Sequence, residues 1–250
     1  MNEVGAYGRP RVQTKFIFMT DNKMRTEILN IDKGQCLTDV LPAIPANTIF
    51  DKTITGCGAT HSEIVNAARH SIIIEPNIPV ILGKKAEHPF LFAVYEGITK
   101  EDVKAYLAGE HDGYRKIITT PEGFDKKVLP AMHELEIPVY KDYFLLFDEC
   151  EKAIQDVGYR GDIYLPVEDF FKFENKAMVS ATPIVPSDPR FEENGFKILK
   201  LVPTYDTRIE LTLCTTNNTV AVMRKLLKRL ENETVCVFLN STETILSLIY

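Results

Sequence analysis

The run Ile49-Phe50-Asp51-Lys52-Thr53-Ile54-Thr55-Gly56-Cys57-Gly58-Ala59-Thr60-His61-Ser62 constrains the fold more than any other stretch of the chain. A short apolar strand enters a turn carrying two glycines, and helical spacing begins directly after it. Glycine takes positive φ at little cost, so the backbone can reverse tightly there. The following segments repeat the alternation. Strand candidates are Lys15–Thr20, Asn47–Thr53, Ser71–Glu75, Leu91–Tyr95, Lys116–Thr119, Tyr143–Phe147 and Lys176–Val179. Helical spacing covers Thr60–His70, Lys100–Ala108, Glu122–Glu134, Glu149–Val157 and Val167–Phe171. Strands separated by helices predict βαβ units and a parallel sheet. Ser71–Glu75 and Tyr143–Phe147 are near-continuous apolar runs, as expected of strands buried on both faces. The segment up to Asp39 has no clear period, and Pro42 and Pro45 oppose a helix there.

A composition shift falls at Thr182–Asn194, where Pro183, Pro186, Ser187, Asp188 and Pro189 predict a loop. Beyond it come strand candidates Phe196–Val202 and Arg208–Cys214, a basic helix Asn218–Leu230, a strand Thr234–Leu239 and a helix from Ser241. The expected organisation is one nearly complete domain over 1–203 and the opening of a second over 204–250, cut short inside its last helix. With 250 residues, 45% hydrophobic and 26% charged, the chain has ordinary globular composition. A net charge of −6 argues against blanket attraction to nucleic acid while leaving room for a local basic face. The cysteines at 36, 57, 150, 214 and 236 form no CxxC pair, so neither a disulfide framework nor a zinc site is indicated. A reducing cytoplasm fits. No apolar run approaches the roughly 20 residues of a membrane span, and none resembles a signal core.

Two constellations carry chemistry. The glycine loop has the layout of a phosphate-binding loop: Gly56 and Gly58 let backbone N–H groups close around phosphate oxygens, and Thr60 would set its hydroxyl on Mg²⁺. The lysine such a loop needs at its end is replaced by Ala59. Phosphoryl transfer depends on positioning and charge stabilisation, so hydrolysis should suffer more than binding. Taken alone, the two glycines are equally compatible with simple βα packing. The second constellation is the apolar strand 143–147, which delivers Asp148-Glu149-Cys150-Glu151. Acids at the end of a buried strand are costly unless they hold a metal or move protons. The alternative is a helix whose first-turn acids offset its macrodipole.

Thr55–Thr60 resembles motif I of superfamily 2 helicases, and Asp148–Glu151 resembles their DEAD/DECH motif II. Ser180-Ala181-Thr182-Pro183 is similar to motif III, Ile72–Asn77 to motif Ia, Ile117–Gly123 to motif Ib and Val235–Ser241 to motif IV. The six stand in the family's order over most of 47–241. The resemblance implies an α/β, RecA-like P-loop fold, a parallel sheet flanked by helices, followed by the start of a second RecA-like domain. It implies ATP and Mg²⁺ as ligands and nucleic acid, DNA or RNA, as partner. Position by position, it implies that Thr55, Gly56, Cys57, Gly58, Ala59 and Thr60 line the nucleotide and that Asp148, with Thr60, holds the metal. Glu149 would activate water, and Ser180 and Thr182 would couple nucleotide state to nucleic acid. Pro76, Asn77, Thr120, Pro121 and Gly123 would follow the nucleic-acid backbone. Gln35 lies where DEAD-box relatives keep an adenine-reading glutamine, without the flanking aromatic.

Two departures qualify the resemblance. Ala59 replaces the lysine, and the chain ends after motif IV, so motifs V and VI are missing. With them goes the arginine finger, worth roughly 10³–10⁵ in rate. Lys52, at the end of the strand entering the loop, could supply the lost charge. The pairs Lys84-Lys85 and Lys126-Lys127 are either phosphate contacts or solvated helix ends. Arg224, Lys225, Lys228 and Arg229 read as a solvated helix face or a nucleic-acid contact, and His61, His70 and His133 as structural or solvated. The leading expectation is a nucleic-acid-linked ATPase impaired in hydrolysis. The rival is a non-hydrolysing module that binds nucleic acid or a protein. A small-molecule kinase is the third class, and it has no use for Ser-Ala-Thr after the acidic strand.

Overall fold

The computed structural model describes residues 24–150, 167–182, 188–208, 213–230, 234–238 and 241–249. The chain divides into two compact units, Met1–Asp206 and Thr207–Tyr250.

The first unit is built on one eight-stranded sheet. Its strands are β1 (Thr26–Ile31), β2 (Thr48–Asp51), β3 (His70–Ile74), β4 (Phe92–Val94), β5 (Lys116–Thr119), β6 (Tyr143–Phe147), β7 (Asn175–Ser180) and β8 (Lys197–Pro203). Their order across the sheet is β1-β8-β2-β7-β6-β3-β5-β4, and every pairing is parallel. Parallel neighbours need crossovers, and helices supply them. These are α1 (Leu37–Val40), α2 (Ala59–Ile64), α3 (Ile78–Glu87), α4 (Lys100–Ala108), α5 (Pro121–Gly123), α6 (Leu129–Glu134), α7 (Val139–Asp142), α8 (Val167–Lys172) and α9 (Arg190–Glu193). The result is an α/β, RecA-like arrangement.

The period-2 geometry of a strand splits the core into two clusters, one on each face. Tyr143, Leu145 and Phe147 of β6 pack with Ile72, Ile74, Ile117, Phe124, Val128 and Met132. Phe144 and Leu146 face the other way, towards Phe50, Ile73, Ile118, Leu37, Ile64 and Ile81. Both faces are covered, so β6 has no polar position to spare and reads as a continuous apolar run.

Several elements differ from the sequence expectation. Thr26–Ile31 is a strand, although its alternating pattern is short and half exposed. As an edge strand beside β8 it buries only one face. The helix expected over Thr60–His70 stops at Ile64, because Asn66 Oδ1 takes the Ala68 N–H at 3.0 Å and turns the chain into β3. The helix expected over Glu122–Glu134 is interrupted by a π turn at Phe124–Val128. Pro130 has no N–H and its ring crowds the carbonyl four residues back, and widening the turn accommodates it. Part of the expected loop before Asn194 is the short helix α9. Lys15–Thr20 and Glu149–Val157 beyond Cys150 lie outside the described residues.

The second unit holds α10 (Thr219–Arg229) and α11 (Thr242–Ile249). Asn218 caps α10 by accepting from the Ala221 N–H at 3.0 Å, and Arg224 reaches the Ser247 carbonyl of α11. The strands expected at Arg208–Cys214 and Thr234–Leu239 are not strands among their described residues. A strand needs a neighbour for its ladder, and the described residues of this unit contain none. Phe238 is 92% exposed.

The amino end of the sheet carries a buried ionic cluster. Glu63 accepts from Arg69 Nε at 3.1 Å and Nη2 at 2.5 Å and from the Ser71 hydroxyl, with Lys116 Nζ 3.6 Å away. The Arg69 guanidinium lies 3.4 Å over the Phe144 ring. Burial pulls Lys116 down to about 8, against the opposing charge of Glu63. Removing one member strands the others, so Glu63→Ala is expected to cost about 3–5 kcal/mol. Urea denaturation at pH 7 measures it; a loss under ~1 kcal/mol would show the cluster to be dispensable.

Candidate functional site

The carboxyl ends of β2, β7, β6 and β3 lie side by side, which is where open parallel sheets place their ligand crevices. Ladder register aligns Asp51 with Ser180 and Ile74 with Phe147, so the residues leaving each strand emerge at one level. The Lys52 N–H continues the β2–β7 ladder to the Ser180 carbonyl at 2.9 Å, and the Asp148 N–H reaches the Ile74 carbonyl at 2.9 Å.

Beyond Lys52 the chain turns sharply. Asp51 Oδ1 accepts the Thr53 N–H at 3.1 Å, and Thr53 itself sits at φ 40°. Gly56 and Gly58 follow at φ 73° and 86°, where a side chain would strain the backbone. Gly58 is the N-cap of α2. Thr55 and Gly56 are exposed, whereas Cys57 is buried and burial pushes its thiol up. Ala59 is 4% exposed within the apolar cluster around Leu37 and Ile64.

Asp148 is the centre of the site, 2% exposed. Its Oδ1 accepts from Lys52 Nζ at 3.2 Å and from the Glu149 N–H at 2.9 Å, and its Oδ2 accepts from the Thr60 hydroxyl. Burial pulls the Lys52 ammonium down, but the charge and hydrogen bond of Asp148, with help from Glu149, leave it raised overall. Glu149 stands at φ 46°, and its Oε2 accepts from Asn77 Nδ2 at 2.7 Å. The same amide nitrogen donates to Glu75 Oε1 at 2.9 Å, as does the Asn77 N–H at 2.9 Å. Ser180 closes on its own loop: its hydroxyl donates to the Thr182 carbonyl at 2.7 Å and accepts the Thr182 N–H at 2.9 Å.

Other residues singled out from the sequence stand apart. Gln35 is exposed, and its Oε1 takes the Asp32 N–H at 2.8 Å to close a turn after β1. Pro76 is half-buried between Glu75 and Asn77. Thr120 is buried and its hydroxyl accepts the Gly123 N–H at 3.0 Å, with Pro121 also buried. A Cβ at Gly123 would lie 2.5 Å from Thr119 Oγ1 and 3.2 Å from the Val94 carbonyl, so this glycine is set by close packing. The basic pairs are largely engaged: Lys84 with Glu87 at 2.8 Å, Lys85 with the Pro89 and Leu91 carbonyls at 2.7 Å, and Lys127 with the Tyr95 carbonyl at 2.8 Å. His61 Nδ1 lies 3.2 Å from His88 Nε2, and His70 Nδ1 accepts the Arg115 N–H at 2.8 Å. Among the described residues no group of three His, Cys, Asp or Glu side chains is arranged to hold a metal.

Glu75 was not singled out from the sequence as a site residue. Its signal was available, since it ends the apolar run Ser71–Ile74 just as Asp148 ends Tyr143–Phe147.

No protein-family model matches the chain, and no curated protein matches it in sequence. Solved structures resemble it in fold. The crystal structure of the DUF1998 helicase MrfA is 14% identical, with a TM-score of 0.53 over 82% of this chain and 35% of that one. The Hef helicase domain of Pyrococcus furiosus is 13% identical, with a TM-score of 0.39 over 90% of this chain and 49% of that one. The chain thus spans about a third of the first structure and half of the second. The likeness to the first establishes a helicase-like α/β fold. Among the described residues no helix is long and apolar enough to cross a membrane.

Glu75 gives the site a pH signature. Burial first, then the charge of Asp148, raises its carboxyl to about 7 against the hydrogen bonds from Asn77. A raised carboxyl binds its proton more tightly in the folded state. The stabilisation is therefore complete below the ordinary value of 4.5 and is lost as pH rises through about 7. Glu75→Gln keeps an acceptor for Asn77 without the charge. Its unfolding free energy should match the parent's near pH 4.5 and exceed it at pH 8 by an amount on the order of 3 kcal/mol, with a higher melting temperature there. Equal melting curves at pH 8 would contradict this.

Proposed function

We propose that this chain carries the nucleotide-binding domain of a superfamily 2 helicase-like, nucleic-acid-linked ATPase, with the start of a second RecA-like domain after residue 203. One observation carries the reading. Lys52 just after β2 and Thr60 of α2, which flank the turn carrying Gly56 and Gly58, converge on Asp148 just after β6. A strand-end carboxylate, a helix-start hydroxyl and a flexible ammonium are the groups a terminal phosphate and its counter-ion require.

The donor set fits Mg²⁺. Asp148 and Thr60 offer hard oxygens, the type this ion prefers, and both would hold it. When bound, the ion neutralises charge building on the phosphate oxygens. Lys52 supplies the positive charge that position 59 lacks, approaching from β2. Ala59 could not do so by simple replacement, because its side-chain direction leads into the apolar cluster. Glu149 takes a proton from the attacking water.

A second reading, a domain that binds without turnover, is favoured by the same carboxylate. Both Asp148 oxygens already have partners in Lys52 and Thr60, and the ammonium neutralises the charge that would attract a cation.

Titration calorimetry with ATP and Mg²⁺, paired with phosphate release in the presence of single-stranded DNA or RNA, separates the two. The ATPase reading expects saturable binding, turnover stimulated by nucleic acid, and a loss on the order of 10²-fold in turnover for Lys52→Ala. Glu149→Gln should bind ATP and fail to hydrolyse it. Binding with no turnover under any condition would establish the second reading, and no ATP binding would end both.

A further inference from the structure

Two of the chain's five histidines meet beside α2. His61 lies in α2 and His88 caps the carboxyl end of α3, and His61 Nδ1 stands 3.2 Å from His88 Nε2. The rings are tilted by 41° with centroids 5.1 Å apart, so they meet through their nitrogens and are not stacked. The backbone at both positions is fixed. The His61 carbonyl accepts the Val65 N–H at 3.0 Å, the His88 N–H reaches the Lys84 carbonyl at 2.9 Å, and the His88 carbonyl accepts the Leu91 N–H at 2.9 Å. Ile64 of α2 and Ile81 of α3 are buried in the same apolar cluster, which sets the two helices against one face of the sheet. Both imidazoles are half-buried, and the Phe90 ring stands edge-on to His88 with centroids 5.7 Å apart. Glu87, next in the chain, is paired with Lys84 at 2.8 Å, so neither charge is left over against the rings. The other histidines are placed singly: His70 Nδ1 accepts the Arg115 N–H, His111 Nε2 lies 2.6 Å from the Tyr106 carbonyl, and His133 packs on Tyr140.

We propose that His61 and His88 form a two-histidine site for a divalent transition ion of the Zn²⁺, Ni²⁺ or Cu²⁺ class, joining α2 to the end of α3. Metal–imidazole bonds are about 2.0–2.1 Å long, so two nitrogens 3.2 Å apart subtend roughly 100° at a shared ion, close to the tetrahedral angle. The two nitrogens already stand at ligand spacing. A neutral imidazole carries one N–H and one lone pair, and either ring nitrogen can hold the proton. Among the described residues no hydrogen bond fixes His61 Nε2 or His88 Nδ1, so both protons can sit there and leave two lone pairs facing each other. A cation between them satisfies both. The alternative, an N–H of one ring donated to the other, occupies only one lone pair and gives way to a stronger Lewis acid. Imidazole suits ions of this class, whereas Mg²⁺ prefers hard oxygens. The site is therefore chemically separate from Asp148 and Thr60, and it is independent of the ATPase reading. Two protein ligands leave coordination positions for water, so the ion exchanges freely. Its consequence is mechanical: His61 directly follows Thr60, so the ion braces against α3 the helix that presents Thr60 to Asp148.

The untagged full chain is titrated with Zn²⁺ by calorimetry and with Co²⁺ by visible absorption, both with excess Mg²⁺ present. One equivalent should bind. Co²⁺ held by imidazole shows no sulfur-to-metal charge-transfer band, which separates this site from the exposed Cys36, Cys214 and Cys236. His61→Gln and His88→Gln should each weaken binding by at least the roughly 10-fold that loss of an outer-shell partner costs. Zn²⁺ should raise the parent's melting temperature by about 3–5 °C and leave that of both variants unchanged. A further readout needs no variant: Zn²⁺ should protect His61 and His88 of the parent from diethylpyrocarbonate, followed by peptide mass spectrometry, while exposed His133 reacts as before. Binding lost in both variants, with both rings protected in the parent, supports the site. No binding by the parent, binding retained in either variant, a charge-transfer band, or modification of His61 and His88 unchanged by Zn²⁺ overturns it.

Discussion

Asp148 sits where an apolar strand runs out, and a carboxylate so deeply buried needs partners on each oxygen. Lys52 and Thr60 provide them from two other elements. Because those elements come from β2 and α2, the contact ties the glycine loop to the acidic strand across a gap of 96 residues. The arrangement works only if β2, β7 and β6 lie in consecutive places in the sheet. Site and fold therefore depend on the same feature, the insertion of late strands between early ones.

The sheet is polar at both ends and apolar between. At the amino end, Glu63, Arg69, Ser71 and Lys116 form a closed ionic cluster whose partners are all supplied locally. At the carboxyl end, Glu75, Asp148 and Glu149 lie close together, with the Lys52 ammonium on Asp148 and the Asn77 amide on Glu75 and Glu149. Burial first, and then the charge of Asp148, raises the carboxyl of Glu75 there. A carboxyl buried beside others costs stability when ionised, and it is the kind of feature expected where chemistry rather than packing sets the residues.

Much of the fold was legible in the sequence because its signals are local. Tyr143–Phe147 reads as a buried strand because both of its faces meet helices, and Thr99 and Gly58 mark helix starts by chemistry confined to a few residues. The misses have equally specific causes. Thr26–Ile31 is an edge strand with one face exposed, so its pattern is weak until β8 is beside it. The helix after the glycine loop is short because Asn66 ends it with a side-chain bond that apolar spacing does not register. The burial of Thr120, Pro121 and Gly123 after β5, with the Val94 carbonyl close to Gly123, is likewise set by packing that no local pattern displays.

The sequence by itself determined an α/β chain of parallel strands, a glycine turn lacking its lysine, and acids at the ends of apolar runs. These follow from period, propensity and composition, each felt within a dozen residues. Tertiary structure alone decided that Lys52 meets Asp148, that Asn77 leaves its helix cap for Glu149, and that Glu75 is buried beside them. Strand order sets those meetings. It is fixed by long-range packing of whole layers, which no local pattern in the chain encodes.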